Sequence, residues 1–265
     1  MGEPDLDTLF VELANETRRK ILTKLDEQDQ KLSQLSKYLN LSIQETYRNT
    51  TRLVNSGLIE KKSDSLFSIT DYGKLVIKQI PTYEFLLVNS RYFQEHGIGG
   101  IPPKFIHRLG DLKNNELIHG IGPVLEKWKE IATNAGNYLK IITSQYPMEI
   151  AKAVVGKAET STKLSYIFGH NTIVPSERES FLKSTRWKEL ISNGTVQRKM
   201  LKKVQVGITV SESQACVSFP DLRGETDMVS VFFSDNQQFI EWCLDFFQYQ
   251  WEKAEPFNDK YLRTN

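Results

Sequence analysis

"KLSQLSKYLNLSIQETYRNTTRLVNSGLIEKKSDSLFSIT", residues 31–70, decides how the first third of this chain is read. Ser33 can cap a short helix whose Leu35, Tyr38 and Leu39 share one face. "NLS" interrupts it. Ser42 is then a good N-cap, and Glu45 three residues on completes a capping box. The helix that follows turns Ile43, Tyr47, Thr50, Leu53 and Val54 inward, and Gly57 supplies its stop. Leu58, Ile59, Leu66, Phe67 and Ile69 then flank Ser63-Asp64-Ser65, which reads as strand, turn, strand. Thr70 opens another helix.

Two helices joined by a three- or four-residue turn make a helix-turn-helix, and a following hairpin makes a wing. The second helix is the one that can enter a major groove. Ser42 starts it, and Gln44, Glu45, Arg48, Asn49, Thr51, Arg52 and Asn55 face outward. Gln and Asn can pair bidentately with adenine, and Arg with guanine. Glu45 could accept from cytosine or serve only as the cap. Lys61 and Lys62 sit at the hairpin stem, where phosphates would lie. The whole chain carries a net charge of only +1. Between Lys31 and Lys62, however, six cations face two anions, Glu45 and Glu60. Such a local excess is what phosphate contact requires. Double-stranded DNA is therefore the expected partner. Protein contact alone is the alternative use of such a module.

Working outward, residues 7–28 read as helix with a bend, Asn15 capping a second segment from Glu16. The 265 residues, 39% hydrophobic and 25% charged, suit one large or two smaller globular domains. No apolar run approaches the roughly 20 residues a membrane helix needs. The acidic start "MGEPDLDTLF" lacks signal-peptide character, so a cytoplasmic location is expected. Cys216 and Cys243 stand alone, outside any metal-ligand spacing, and read as buried thiols. No metal or cofactor is expected.

Beyond residue 80 the pattern changes. "IPTYEFLLVNSRYF" reads as a helix apolar on most sides, which something must cover. After the "GIGG" loop come a helix and an extended segment, then "GPVLEKWKEIATNAG" as helix, "YLKIITSQ" as strand, "PMEIAKAVVGKA" as helix and "TKLSYIFG" as strand. Residues 175–194 read as one helix. Four strands and an aromatic closing helix, "DNQQFIEWCLDFFQYQWEKAEPF", finish the chain. The fold class expected is α+β to α/β, with a mixed sheet in the second part.

"LANETRRKIL", "RLVNSGLIEKK" and "SITDYGK" together resemble the winged helix-turn-helix of ArsR-like archaeal and bacterial transcription regulators. The metal-sensing cysteines of that family have no counterpart here. "FIHRLGDLKNNELIHG" and "VFFSDNQQFIEWCLDFFQYQW" resemble the FilR1-like domain of a methanogenesis regulator, related in fold to phospholipase D. The resemblance implies a DNA-binding regulator and likens the second part to a domain thought to sense a small effector. The boundaries expected are a DNA-binding domain at 1–80, a linker helix at 81–97, a regulatory domain at 98–258 and a tail at 259–265. A homodimer is expected, since such regulators read paired half-sites. His107, Arg108, His119, His170 and Arg198 are candidates to line an effector pocket. No histidine stands in the His-x-Lys pattern of phospholipase D chemistry, so no enzyme is expected. A hydrolase assembled around His107, His119 and His170 is the competing reading.

Overall fold

The computed structural model describes residues 5–264. The chain divides into two compact units, Met1–Ile80 and Pro81–Asn265.

The first unit opens with α1 (Leu6–Ala14) and α2 (Glu16–Glu27). Asp5 caps α1 by accepting from the Asp7 and Thr8 amides, and Asn15 caps α2 by accepting from Arg18. Next come β1 (Gln30–Lys31), α3 (Leu32–Leu39), α4 (Ile43–Asn55), β2 (Ile59–Lys61), β3 (Leu66–Ile69) and α5 (Asp71–Ile77). The three strands pair antiparallel in the order β1-β3-β2. Ile21, Leu22, Leu25, Leu35, Leu53, Leu58, Ile59, Phe67 and Ile69 form the core beneath them.

Several local expectations shift. α3 begins one residue before Ser33, and the Gln34 side chain accepts the Lys31 amide at 2.7 Å. Tyr38 is exposed, with the Lys24 ammonium over its ring. The hairpin turn runs from Lys62, whose amide donates to Leu66 O at 2.8 Å, to Ser65 at φ 62°. Gly73 permits a close approach: a Cβ there would lie 2.1 Å from Leu58 O. Thr70 fixes the same junction, accepting from the Gly73 amide and donating to Gly57 O.

The second unit is built on one sheet. Its elements begin with α6 (Ile80–Val88), α7 (Ser90–Glu95), α8 (Pro103–Ile106) and a 3-10 turn at Leu109–Leu112. Then follow β4 (Glu116–His119), α9 (Ile121–Asn134), β5 (Tyr138–Gln145), α10 (Met148–Glu159) and β6 (Lys163–Val174). Residues 175–194, read as one helix, form two: α11 (Arg178–Lys183) and α12 (Trp187–Ser192). After them come β7 (Val196–Leu201), β8 (Gly207–Ser211), β9 (Ala215–Ser218), β10 (Ser230–Ser234) and α13 (Gln237–Lys253). The chain ends with β11 (Glu255–Pro256), a 3-10 turn at Asp259–Tyr261 and β12 (Arg263–Thr264).

The sheet order is β11-β7-β6-β5-β8-β9-β10-β4, with β12 added beside β6. β5, β6 and β7 run parallel through the α10 and α11–α12 crossovers, and β8, β9, β10 and β4 are antiparallel. The sheet is thus mixed, as its alternating pattern implied. Strand alternation sends side chains to two cores. Leu139, Leu164, Tyr166, Phe168, Val196 and Met200 meet α9, α10 and α12 on one face. Ile142, Ile167, Val210 and Phe232 meet α6, α7 and α13 on the other. On α13, Phe239, Trp242, Phe246 and Phe247 are each at most 2% exposed. Such burial is worth about 1.5–3 kcal/mol per side chain as an upper bound. The span 81–97, read as a linker helix, is two helices whose Phe85 and Tyr92 belong to this core. The span 259–265, read as a tail, contributes β12 to the sheet.

Candidate nucleic-acid interface and ligand cavity

α4 is fixed at its start by local chemistry. The Glu45 amide donates to Ser42 Oγ at 3.1 Å, and the Ser42 amide donates back to Glu45 Oε2 at 3.4 Å. The Glu45 carboxylate also accepts from Ser42 Oγ, so it is committed to the cap. The buried stripe is Thr46, Thr50 and Leu53, all 0% exposed. Ile43 and Tyr47, expected inward, stand 52% and 55% exposed. The reason lies in the hydroxyls: Thr46 Oγ1 donates to Ser42 O, and Thr50 Oγ1 to Thr46 O and Tyr47 O. Satisfied in this way, threonine can take a core position.

The remaining outward residues divide sharply. Asn49 donates to Glu45 O and accepts from Arg18. Arg52 forks onto Glu12, Nη2 to Oε1 at 2.5 Å and Nε to both oxygens at 3.1 and 3.2 Å. Glu12 is 4% exposed and also takes Arg18 Nε at 2.7 Å. Burial draws Arg18 below its usual pKa, with Glu12 opposing. The Glu12–Arg18–Arg52 triad therefore bolts α4 to α1 and α2. Lys62 is similarly held, its Nζ 2.7 Å from Asp29. Lys62 and Ser68 together keep the Asp29 carboxyl below the usual carboxylate range. Among the described residues, Gln44, Arg48, Thr51 and Lys61 make no side-chain hydrogen bond, and Arg48 and Lys61 form no ion pair. They are the groups of this surface left free to meet a partner.

In the second unit the candidate pocket residues are scattered. His107 is exposed at the end of α8. Arg108 is tied to Asp111 at 2.9 Å and Asp245 at 2.5 Å. His119, on β4, shares a 2.9 Å hydrogen bond with Ser230. His170, on β6, stacks on Tyr261 at 4.0 Å. β4 and β6 lie five strand steps apart, about 24 Å. His107, His119 and His170 therefore do not line one cleft. His170 and Arg198 alone of the five share a neighbourhood: His170 Nε2 lies 4.0 Å from Glu255, and Arg198 Nη1 lies 3.3 Å from Asp259.

Two cavities share Trp187 in their linings, and the larger also meets that C-terminal segment. One, of about 580 Å³, is lined by Arg178, Trp187, Arg198 and Asp259 with Lys183 and Lys188. The other, about 70 Å³, lies between the sheet and α9–α10 and is walled by apolar groups including Tyr146, Tyr166, Phe168 and Trp187. Burial pushes the Tyr166 hydroxyl up to about 12, against the pull of the Arg198 and Arg178 charges. Periodicity pointed to neither cavity; Arg178 and Trp187 carry no motif. Among the described residues no group of three or more His, Cys, Asp or Glu could hold a metal ion. Nor is any described helix long and apolar enough to cross a membrane.

No protein-family model matches this chain, and no curated protein does. Among solved structures it is similar to TrmBL2, an archaeal chromatin protein described with a novel mode of DNA binding. Identity is 12%, over 90% of this chain and 93% of that one, at a TM-score of 0.41. NucT from Helicobacter pylori matches at 14% identity over 54% and 99% of the two chains, TM-score 0.41. Nuc from Salmonella typhimurium, a phospholipase D family member, matches at 12% over 55% and 98%, TM-score 0.40. All three are distant in sequence and loose in superposition.

Proposed function

We propose that this chain is a DNA-binding transcription regulator. Its first unit acts as a winged helix-turn-helix of the ArsR-like type, with α3 and α4 as the helix pair and β2–β3 as the wing. The second unit acts as a FilR1-like effector domain and not as an enzyme. The observation that carries this reading is the free face of α4. Gln44, Arg48 and Thr51 project unpaired beside Lys61 at the wing stem, while the triad on Glu12 holds the helix rigid. A preorganised donor-rich face of this kind suits base edges, and the unpaired lysine suits phosphate. The chain works as a homodimer. Tyr83, Leu87 and Val88 of α6 are 58%, 76% and 81% exposed, an apolar patch that a second copy can cover.

Genomic footprinting tests the proposal and is expected to recover sites of dyad symmetry. Arg48→Ala should weaken binding to such a site by about 1–3 kcal/mol, roughly 5- to 150-fold. An unchanged affinity in Arg48→Ala combined with Lys61→Ala removes this face as the reader.

A further inference from the structure

Two residues that line the cavity beside α11 and α12 carry buried donors without acceptors. Arg178 and Trp187 are each 8% exposed. Among the described residues, Arg178 Nε and Trp187 Nε1 are buried and have no hydrogen-bond partner. Native proteins rarely leave such groups unmet, because each forfeits its hydration with no return. Arg198 lines the same cavity. Both guanidiniums lie over aromatic rings, Arg178 at 5.4 Å from the Tyr146 centroid and Arg198 at 4.4 Å from that of Phe257.

One carboxylate stands between them. Asp259 lies 3.4 Å from Arg178 Nη1 and 3.3 Å from Arg198 Nη1. Those distances are long for charge-assisted bonds, which close to about 2.7–2.9 Å. Asp259 is more than half exposed and sits on the short 3-10 turn of the C-terminal segment. Four cations line the cavity against two carboxylates, Asp259 and Glu179. Trp187 is also a wall of the apolar cavity under α10, where Tyr146 and Tyr166 supply further aromatic surface. A charged receptor and an apolar slot thus share a wall.

We infer that the second unit binds an aromatic organic anion. Its carboxylate or phosphate head displaces Asp259 from Arg178 and Arg198 and takes the Trp187 N–H, while its ring enters the slot beside Trp187. This gives a site and a ligand class to the effector role proposed above. It rests on that reading only for its consequence on DNA; binding itself stands apart from it.

Titration calorimetry on the full-length chain tests the site with phenylacetate, phenyl phosphate, acetate and the near-isosteric neutral phenylacetamide. One of the two aromatic anions is expected to bind at one site per chain, and their ratio tells which head is preferred. Acetate and phenylacetamide should bind far more weakly, since each lacks one half of the recognition. Arg198→Gln should lose about tenfold or more in affinity, and Asp259→Asn should gain about tenfold by removing the internal competitor. A purely structural Asp259 gives no gain. Binding of phenylacetamide as tight as that of phenylacetate overturns the inference, as does a failure of both aromatic anions to bind. Weaker binding in Asp259→Asn also overturns it, and keeps the test decisive if Arg198→Gln fails to fold. DNA affinity, measured separately with and without the anion, reports on the regulator reading alone.

Discussion

Glu12→Gln is the change that most directly probes how the first unit holds α4. The substitution keeps the shape of the side chain and removes its charge. In the native protein Glu12 is 4% exposed, pairs with Arg18 at 2.7 Å and accepts from Arg52 at 2.5 Å. Without the carboxylate, Arg18 remains buried with only neutral acceptors, Val11 O at 2.8 Å and Glu12 O at 3.2 Å, besides Asn49. Breaking a fully buried ion pair costs about 3–5 kcal/mol. The two backbone acceptors lower the cost at Arg18, and the side chain of Arg52, 52% exposed, can turn to water. A loss of about 2–3 kcal/mol results. For a unit of this size each kcal/mol moves the melting midpoint by about 4–8 °C, so the first unit should melt about 8–24 °C lower. Scanning calorimetry of the full chain reads this directly, with the second unit as internal reference. A midpoint within about 2 °C of the parent would show that the triad does not fasten α4. The rigid reading face would then lose its physical basis.

Arg48→Ala should leave the melting of the first unit within about 0.5 kcal/mol of the parent, since Arg48 has no partner among the described residues, yet weaken DNA binding. Arg52→Ala should do the reverse in the larger part, lowering stability through Glu12; equal effects of the two on DNA alone would contradict the division. Gly73→Ala should destabilise the first unit by about 1–3 kcal/mol in urea denaturation, because its Cβ would meet Leu58 O at 2.1 Å. Burial pushes both the Cys216 thiol and the Tyr166 hydroxyl up to about 12. In the unfolded chain they ionise near about 8.5 and 10. The folded state therefore keeps protons that the unfolded state sheds, and the stability of the second unit should fall steadily between about pH 8.5 and 12. A urea midpoint constant across that window would refute it.

The features legible in the sequence are those whose chemistry is local. Ser42 with Glu45, Asn15, Thr70 and Gly57 act on backbone groups within a few positions, so their spacing alone announces them. The mixed sheet was legible for a similar reason, since apolar runs of strand length alternate with helical ones. What escaped is set by distant partners. Arg52 looks like a groove-facing cation until the fold brings Glu12, 40 positions away, beneath it. Lys62 meets Asp29 across 33 positions in the same manner. Thr46 reads as polar, and only its bond to the Ser42 carbonyl makes it core, whereas the spacing of Thr50 already turns it inward. β1 and β12 have two residues each, too few for any periodicity to appear.

The same logic separates Arg198 from three of the four residues grouped with it. Residue type alone put an arginine and three histidines on equal terms with it, but the sheet order sets His119 on the far β4, His107 and Arg108 lie outside the sheet, and His170 alone sits on the neighbouring β6. Arg198 lines a cavity because the register Tyr166↔Arg198 between β6 and β7 sets it on the face that α11, α12 and the C-terminal segment cover. Arg178 and Trp187, which no pattern marks, arrive there from the crossover between those two strands. A receptor built from the far ends of a parallel βαβ unit is invisible one residue at a time. It exists only once the crossover has folded back, and the cost of its two unmatched donors is borne by every other contact in that layer. A cost of that kind persists in a stable fold when an acceptor from outside the chain relieves it. The aromatic anion is the acceptor whose charge and shape match what surrounds those donors.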